Sequence, residues 1–78
     1  MRAKTPRLII TFHTTAEAMA TERLCRRDGL DGKLISVPRA LTSDCGLAWS
    51  APPETRQKLQ ALLDAENVEF DGIHELLL

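Results

Sequence analysis

Cys45 is the residue of this sequence whose type and surroundings are best suited to chemistry. It lies in the polar segment Thr42-Ser43-Asp44-Cys45-Gly46, between two apolar runs. Free thiols are usually buried, but the turn-forming neighbours Asp44 and Gly46 predict a thiol that faces solvent. The thiolate is the form of cysteine that attacks disulfides and sulfane sulfur. The residues alone leave two interpretations open, a reactive group at a loop tip or a cysteine that is incidental there.

The neighbours of Cys45 include groups that favour an anionic sulfur and one that opposes it. Arg39 leads directly into the loop, and a cationic neighbour favours the thiolate. The backbone N–H groups from Ser43 to Gly46 can form a nest that holds an anion, whereas the carboxylate of Asp44 repels negative charge. The candidate site is therefore Cys45 as the reacting thiol, surrounded by Arg39, Ser43, Asp44 and Gly46.

The other residues of reactive type are dispersed along the chain. Cys25 lies within a predicted helix, which favours packing, and its separation from Cys45 is far from the Cys-x-x-Cys pattern of a redox pair. His13 follows the first predicted strand, and His74 lies near the end of the last one. No ligand pair has metal-binding spacing and no glycine-rich phosphate loop is present, so the sequence predicts neither a metal site nor a cofactor.

The size and composition of the chain limit its function. A chain of 78 residues is expected to form one domain, residues 1–78, with residues 1–6 as a flexible N-terminus. So small a domain buries about 60 to 65 per cent of its unfolded surface, which leaves little room for an enclosed enzyme pocket. Three aromatic residues, none of them tyrosine, and a net charge of -1 argue against nucleic-acid binding.

The cysteine and charge distributions bear on location and partners. Two cysteines without a secretory signal favour a reduced, cytoplasmic protein, and no apolar run is long enough to span a membrane. Residues 1–39 carry eight Lys or Arg against four Asp or Glu, whereas residues 40–78 carry two against seven. This asymmetry predicts either basic and acidic faces suited to a charged partner or a pattern that folding averages out.

The order of local patterns predicts an α+β fold. The predicted strands are residues 8–12, 33–37, 46–50 and 68–76, and the predicted helices run from residue 14 or 15 to residue 28 and onward from residue 52. The order strand-helix-strand-strand-helix-strand is that of the ferredoxin-like β-α-β-β-α-β sandwich, a four-stranded antiparallel sheet with two helices on one face. The sequence does not decide which face of the first helix is buried, because two stripes of small or apolar residues are candidates. One stripe contains Met19 and the other contains Cys25. Trp49 is predicted to pack in the core or over the sheet.

This topology predicts what surrounds the candidate thiol. The expected spatial order of the strands is fourth, first, third, second, with the first and third strands as parallel neighbours. The start of the third strand would then lie beside the start of the first. On that arrangement Arg2, Lys4 and Arg7 lie near Cys45, and His13 lies at the far end of the sheet.

The chain resembles the selenium/sulfur carrier-like family of small proteins. The characteristic element of that family is (Ser/Thr)-Ser-x-Cys-Gly after a Val-Pro-Arg strand end. The matching segments here are residues 8–12, the helix with Ala18 and Glu22, residues 37–46 and residues 68–73, which together cover most of the chain. The resemblance implies that Cys45 is a carrier thiol and that the protein is a carrier rather than a turnover enzyme.

Two functions from different classes follow. The resemblance implies that Cys45 accepts sulfur or selenium as a persulfide or selenopersulfide from a donor such as a cysteine desulfurase and passes it to an acceptor enzyme. The alternative is a ferredoxin-like interaction or regulatory module, in which the open sheet face supports a homodimer or docks a larger partner and Cys45 is incidental. Neither function involves nucleic acid, a membrane or a cofactor.

Overall fold

Four β-strands and two α-helices follow one another in the predicted order. The computed structural model describes residues 4–78. The elements are β1 (Pro6–Thr11), α1 (Thr15–Asp28), β2 (Lys33–Ser36), β3 (Leu47–Ala51), α2 (Arg56–Ala65) and β4 (Gly72–Leu77), with a 3-10 turn at Pro53–Thr55 that leads into α2. The predicted α+β, ferredoxin-like β-α-β-β-α-β fold is confirmed.

The strands form one open sheet in the order β2-β3-β1-β4, as predicted. Every neighbouring pair is antiparallel, so the expectation that β1 and β3 run parallel is wrong. The connections explain this, because α1 returns the chain so that β2 runs in the direction of β1, and the following loop reverses the chain into β3. Leu8 pairs with Ala51 and Thr11 with Ala48, so the start of β3 lies beside the end of β1.

Both ends of α1 are fixed by local sequence signals. Thr14 is the N-cap, where its hydroxyl accepts from the Glu17 backbone N–H while the Glu17 side chain accepts from the Thr14 backbone N–H. Gly29 ends the helix in the left-handed conformation, with a φ of 71°. Met19 is 56% exposed. The buried face of α1 is therefore the stripe that contains Cys25, and its members are Ala18, Thr21, Leu24 and Cys25.

The second half of the chain follows the prediction except before β4. Leu59, Leu62 and Leu63 are buried and form the apolar stripe of α2. Asn67 has a φ of 56°, a left-handed conformation of the kind that commonly ends a helix. The prediction of a strand from residue 68 is wrong for residues 68–71, which are irregular. Their side chains instead contribute to covering the core, because Val68 and Phe70 pack against it from outside the sheet.

The core lies between the two helices and one face of the sheet. Leu8 and Ile10 of β1 and Trp49 of β3 belong to it, and Trp49 is 1% exposed. The chain passes directly over the Trp49 ring at Gly32, where an added Cβ would lie 2.6 Å from ring carbon atoms. Gly32 also has a φ of 154°, so both space and backbone conformation favour glycine there. The prediction of a packed Trp49 is confirmed.

Thr5, the residue before β1, pairs with Leu78, the residue after β4. Thr5 and Leu78 exchange two backbone hydrogen bonds of 3.0 Å each. The expectation of a flexible segment at residues 1–6 concerns in part residues 1–3, which lie outside the described residues. Within residues 4–78, no helix is both long and apolar enough to cross a membrane.

Candidate functional site

Cys45 lies near the end of the loop that connects β2 to β3. Its side chain is only 4% exposed and belongs to the core cluster, so the prediction of a thiol facing solvent is wrong. Alternation along the chain gives the reason: Leu47 and Trp49 face the core, and a residue two positions before Leu47 points to the same side. The polar composition of the loop therefore concealed an inward-facing position.

The Cys45 sulfur lies against the beginning of α1. The Thr15 hydroxyl oxygen is 3.7 Å from Sγ, at which distance either group is able to donate a hydrogen bond. Thr15 is the first residue of the helix after the N-cap Thr14. The N-terminal end of a helix carries partial positive charge and uncommitted backbone N–H groups, which favour a nearby anion. The thiol thus lies just below the surface, between the β2–β3 connection and a helix N-terminus.

Ser43 holds the loop against Phe12, the residue that directly follows β1. Its hydroxyl donates to the Phe12 carbonyl oxygen at 2.6 Å and accepts from the Cys45 backbone N–H at 3.3 Å. One further hydrogen bond joins the two ends of the loop, where the Val37 backbone N–H donates to the Gly46 carbonyl oxygen at 3.1 Å. Ser43 therefore links the position of Cys45 to that of β1 through a single hydroxyl group.

The other predicted site residues lie on the outside of the same loop. Arg39 is exposed in a turn that the Leu41 N–H closes on the Pro38 carbonyl at 3.0 Å. Asp44 and Gly46 are exposed as well, and an added Cβ at Gly46 would have no heavy atom within 4 Å. Among the described residues, Arg39 and Asp44 make no ion pair. The structure thus brings Ser43 to Cys45 and leaves Arg39 and Asp44 at the surface.

The basic residues predicted to surround the thiol lie elsewhere. Arg7 donates from Nε to the Ser50 hydroxyl at 3.1 Å, near the end of β3 that is distant from Cys45. Lys4 precedes β1 at that same end of the sheet, and Arg2 lies outside the described residues. The prediction that Arg7 and Lys4 neighbour Cys45 is wrong because it depended on parallel β1 and β3.

The same reversal brings residues to the thiol that the sequence placed far away. His13 directly follows Phe12, whose carbonyl binds Ser43, so His13 lies at the Cys45 end of the sheet and the prediction of the far end is wrong. Its Nδ1 is 4.0 Å from a carboxylate oxygen of Asp71. His74, in contrast, pairs with Ile9 in the middle of β4. Consistent use of the antiparallel rule would have identified the end of β1 and Thr15 as neighbours of Cys45.

Cys25 contrasts with Cys45 in its surroundings. It is fully buried on the inner face of α1, as predicted for a packing residue. Burial raises the pKa of the Cys25 thiol to about 11, with a smaller contribution from the nearby carboxylate of Asp28. Both cysteines are free thiols. Within residues 4–78, no three His, Cys, Asp or Glu side chains come together as a metal-binding group.

Comparison with known protein families identifies the family of this chain. A family model described as Putative Se/S carrier protein-like matches residues 7–75, which is nearly the whole chain. The match includes the complete loop, both helices and all but the ends of the sheet. Neither the curated proteins nor the solved structures give a match.

Proposed function

This chain belongs to the Putative Se/S carrier protein-like family, and we propose that Cys45 is its carrier thiol. Cys45 receives sulfur or selenium from a donor protein such as a cysteine desulfurase and gives it to an acceptor enzyme. The supporting observation is the position of the sulfur, on a loop and directly beside the N-terminal end of α1. The protein is then a carrier that is regenerated by each transfer rather than an enzyme that converts a substrate.

The transfer is a thiol exchange that needs no cofactor. The Cys45 thiolate attacks the outer sulfur of a donor persulfide, R–S–SH. A new sulfur–sulfur bond forms on Cys45 as the donor bond breaks, so the products are Cys45–S–SH and the donor thiolate, R–S⁻. Delivery to the acceptor repeats the exchange in the other direction. A selenopersulfide, R–S–SeH, follows the same course, with the outer selenium as the atom transferred.

The environment of Cys45 suits a group that is alternately hidden and presented. At 4% exposure the sulfur is protected from unspecific oxidation in the closed loop. Presentation requires the segment around Cys45 to move away from β1, which breaks the hydrogen bond from Ser43 to Phe12. Such local openings cost less free energy than global unfolding where few bonds hold the segment. Ser43 is thus the residue that sets how readily Cys45 becomes accessible.

The beginning of α1 supports the charge state of the loaded carrier. An ionised persulfide bears its negative charge on the outer sulfur, one bond beyond Sγ. The groups at this place that favour negative charge are the Thr15 hydroxyl, 3.7 Å from Sγ, and the N-terminal end of α1. The helix N-terminus therefore stabilises the anionic cargo.

The burial of Cys45 also supports a second candidate function. A cysteine that is 4% exposed and packed in the core is also what an incidental residue would look like. The protein would then be an interaction or regulatory module, which uses its open sheet face for a homodimer or for a larger partner. This alternative predicts that Cys45 is replaceable without loss of function.

Intact-protein mass spectrometry separates the two functions. Wild type, Cys45→Ser and Cys25→Ser are incubated with a sulfane donor, either inorganic polysulfide or a cysteine desulfurase supplied with cysteine. The carrier function predicts a mass gain of one sulfur atom in wild type and Cys25→Ser, absent from Cys45→Ser and reversed by a thiol acceptor. Equal labelling of all three proteins would exclude Cys45 as the carrier thiol and favour the interaction module.

A further inference from the structure

A shallow recess on the open face of the sheet concentrates hydrogen-bond donors and positive charge. It spans β1, β3 and β2 at the end of the sheet opposite to Cys45. The residues that line it are Thr5, Arg7, Lys33, Ile35, Ser50 and Leu78. The proposed carrier function uses none of them, and the recess lies on the face that neither helix covers.

The strand register centres this recess on Ser50. Lys33 of β2 is directly opposite Ser50, and Ile9 of β1 is directly opposite it on the other side. Arg7 lies two positions before Ile9, on the same face, and its Nε donates to the Ser50 hydroxyl oxygen at 3.1 Å. Neighbouring side chains on one face of a sheet are within reach of one another at these positions. Arg7 and Lys33 therefore lie on the strands to either side of Ser50, on the same face of the sheet.

The charges and the hydroxyl proton in this recess lack partners among residues 4–78. Neither Arg7 nor Lys33 has a carboxylate oxygen within 4.0 Å, whereas Arg27 and Arg56 both form ion pairs. The Ser50 side chain is 2% exposed, and its hydroxyl accepts from Arg7 without donating to any described residue. A buried hydroxyl with an unused proton, on a face of the sheet that also carries these two cations, is suited to bind negative charge.

We propose that Arg7, Lys33 and Ser50 form a binding site for a small oxyanion, namely a phosphate or carboxylate group. The Arg7 guanidinium retains its two terminal NH₂ groups for the ligand because only Nε is used internally. Lys33 supplies an ammonium group, and Ser50 supplies a hydroxyl donor. Charge-assisted bonds of this kind are shorter and stronger than neutral ones, and guanidinium geometry matches phosphate and carboxylate alike.

The oxyanion site is separate from the transfer chemistry. Cys45 and Ser50 are five positions apart in the sequence, which places them about 17 Å apart along an extended chain. An anion bound at Ser50 therefore does not contact the Cys45 sulfur. The site is one for an anionic effector or for an anchoring group of a ligand, and it stands whether or not Cys45 carries sulfur.

The test is a titration of the folded, ¹⁵N-labelled protein with inorganic phosphate and, separately, with acetate, followed by NMR at low ionic strength. We expect saturable shifts of the amide signals of Arg7, Lys33 and Ser50. Arg7→Gln and Lys33→Gln are each expected to weaken binding about tenfold, the size of one charge-assisted hydrogen bond. Ser50→Ala is expected to weaken it less, and Lys58→Gln on α2 is the matched charge control that leaves binding unchanged.

The two anions identify the class of ligand. Tighter phosphate binding assigns the site to phosphoryl groups, and equal or tighter acetate binding assigns it to carboxylates. Shifts that rise without saturation for both anions would overturn the proposal. So would equal affinities in Arg7→Gln and Lys58→Gln, provided that the spectra show both variants folded, because the attraction would then come from general charge rather than from the Ser50 site.

Discussion

Cys25 and Cys45 are both buried, but the surrounding structure holds them in different ways. Cys25 lies on the inner face of α1, a helix of 14 residues with a capping box at one end and a left-handed Gly29 at the other. Cys45 lies in a connection that is tied to β1 through the Ser43 hydroxyl. Static exposure is nearly the same for the two thiols, so it cannot distinguish a reactive cysteine from a packing residue. The free energy needed to uncover each thiol does distinguish the two roles.

The two thiols should therefore open by different routes. Exposure of Cys25 requires α1 to leave the sheet, which amounts to global unfolding in so small a domain. Exposure of Cys45 requires only the loop to detach. Alkylation rates of the native protein report these two opening equilibria separately, and the following variants are chosen to shift one, both or neither.

The largest effect is expected from Gly32→Ala. A Cβ 2.6 Å from the Trp49 ring, on a backbone with a φ of 154°, forces the core apart. We expect the free energy of unfolding to fall by about 3 kcal/mol, and the Cys25 alkylation rate to rise roughly a hundredfold. Cys45 alkylation should rise far less, because the strain is present in both the closed and the open loop and leaves local opening unchanged. Urea denaturation and peptide-resolved mass spectrometry measure both quantities.

Gly46→Ala is the matched control for that substitution. Space around Gly46 is open, and its φ lies outside the left-handed region, so stability should stay within about 0.5 kcal/mol of wild type. If Gly32→Ala accelerates alkylation of both cysteines equally, the loop does not open on its own, and both thiols are uncovered by global unfolding.

Ser43→Ala should have the next largest effect. It removes the 2.6 Å bond to Phe12 and the acceptor for the Cys45 N–H, and we expect a loss of about 1.5 kcal/mol in stability. Because this bond is broken in the open loop and in the unfolded chain, both cysteines should be alkylated about tenfold faster. Ser36→Ala, at an exposed position of β2, serves as the control. An unchanged Cys45 rate would show that the loop opens without breaking the Ser43 bond.

The pH dependence of stability should be specific to Cys25. Its pKa is raised to about 11 in the folded protein, from a reference value of 9.0. The folded state therefore keeps the proton to higher pH than the unfolded chain, and stability from this group is full below pH 9 and declines as the pH rises toward 11. We expect a decline of about 1 kcal/mol per pH unit in that window. Denaturation of wild type and Cys25→Ala is followed from pH 7 to about 11, and the difference between their free energies of unfolding isolates the contribution of Cys25. A difference that does not change with pH would contradict the prediction.

The smallest effect is expected at Arg39. Its exposed guanidinium shares the Cys45 loop and attracts anionic reagents. Arg39→Gln should slow alkylation of Cys45 by iodoacetate about twofold, with a smaller effect on neutral iodoacetamide and none at high salt. Arg7→Gln removes a charge at the opposite end of the sheet and should leave both rates unchanged. Equal effects of the two variants would mean that net charge, and not position in the loop, controls access.

Prediction from the sequence succeeded where a signal is local. Thr14, Glu17 and Gly29 determine the limits of α1 through hydrogen bonds within a few residues. The leucine stripe of α2 and the left-handed Asn67 are equally local. The order of these elements was then sufficient to predict the fold and the spatial order of the strands.

Prediction failed where the answer depends on how distant segments meet. The burial of Cys45 follows from the inward phase of β3, which polar neighbours in the loop do not reveal. The neighbours of its thiol depend on the relative direction of β1 and β3. The wrong assumption of parallel strands placed Arg7 near Cys45, whereas the antiparallel pairing places His13 at that end of the sheet. The unmatched donors around Ser50 come from three strands and have no sequence signature.

The separate opening of the Cys45 loop is tested most directly by alkylation of the native, reduced protein, with the two cysteine-containing peptides quantified by mass spectrometry over time. We expect Cys45 to react at least about tenfold faster than Cys25, since its local opening costs at least about 1.4 kcal/mol less than global unfolding. Urea below the unfolding transition should accelerate Cys25 far more than Cys45. Equal rates that rise together with urea would contradict it, because both thiols would then be uncovered only when the whole domain unfolds.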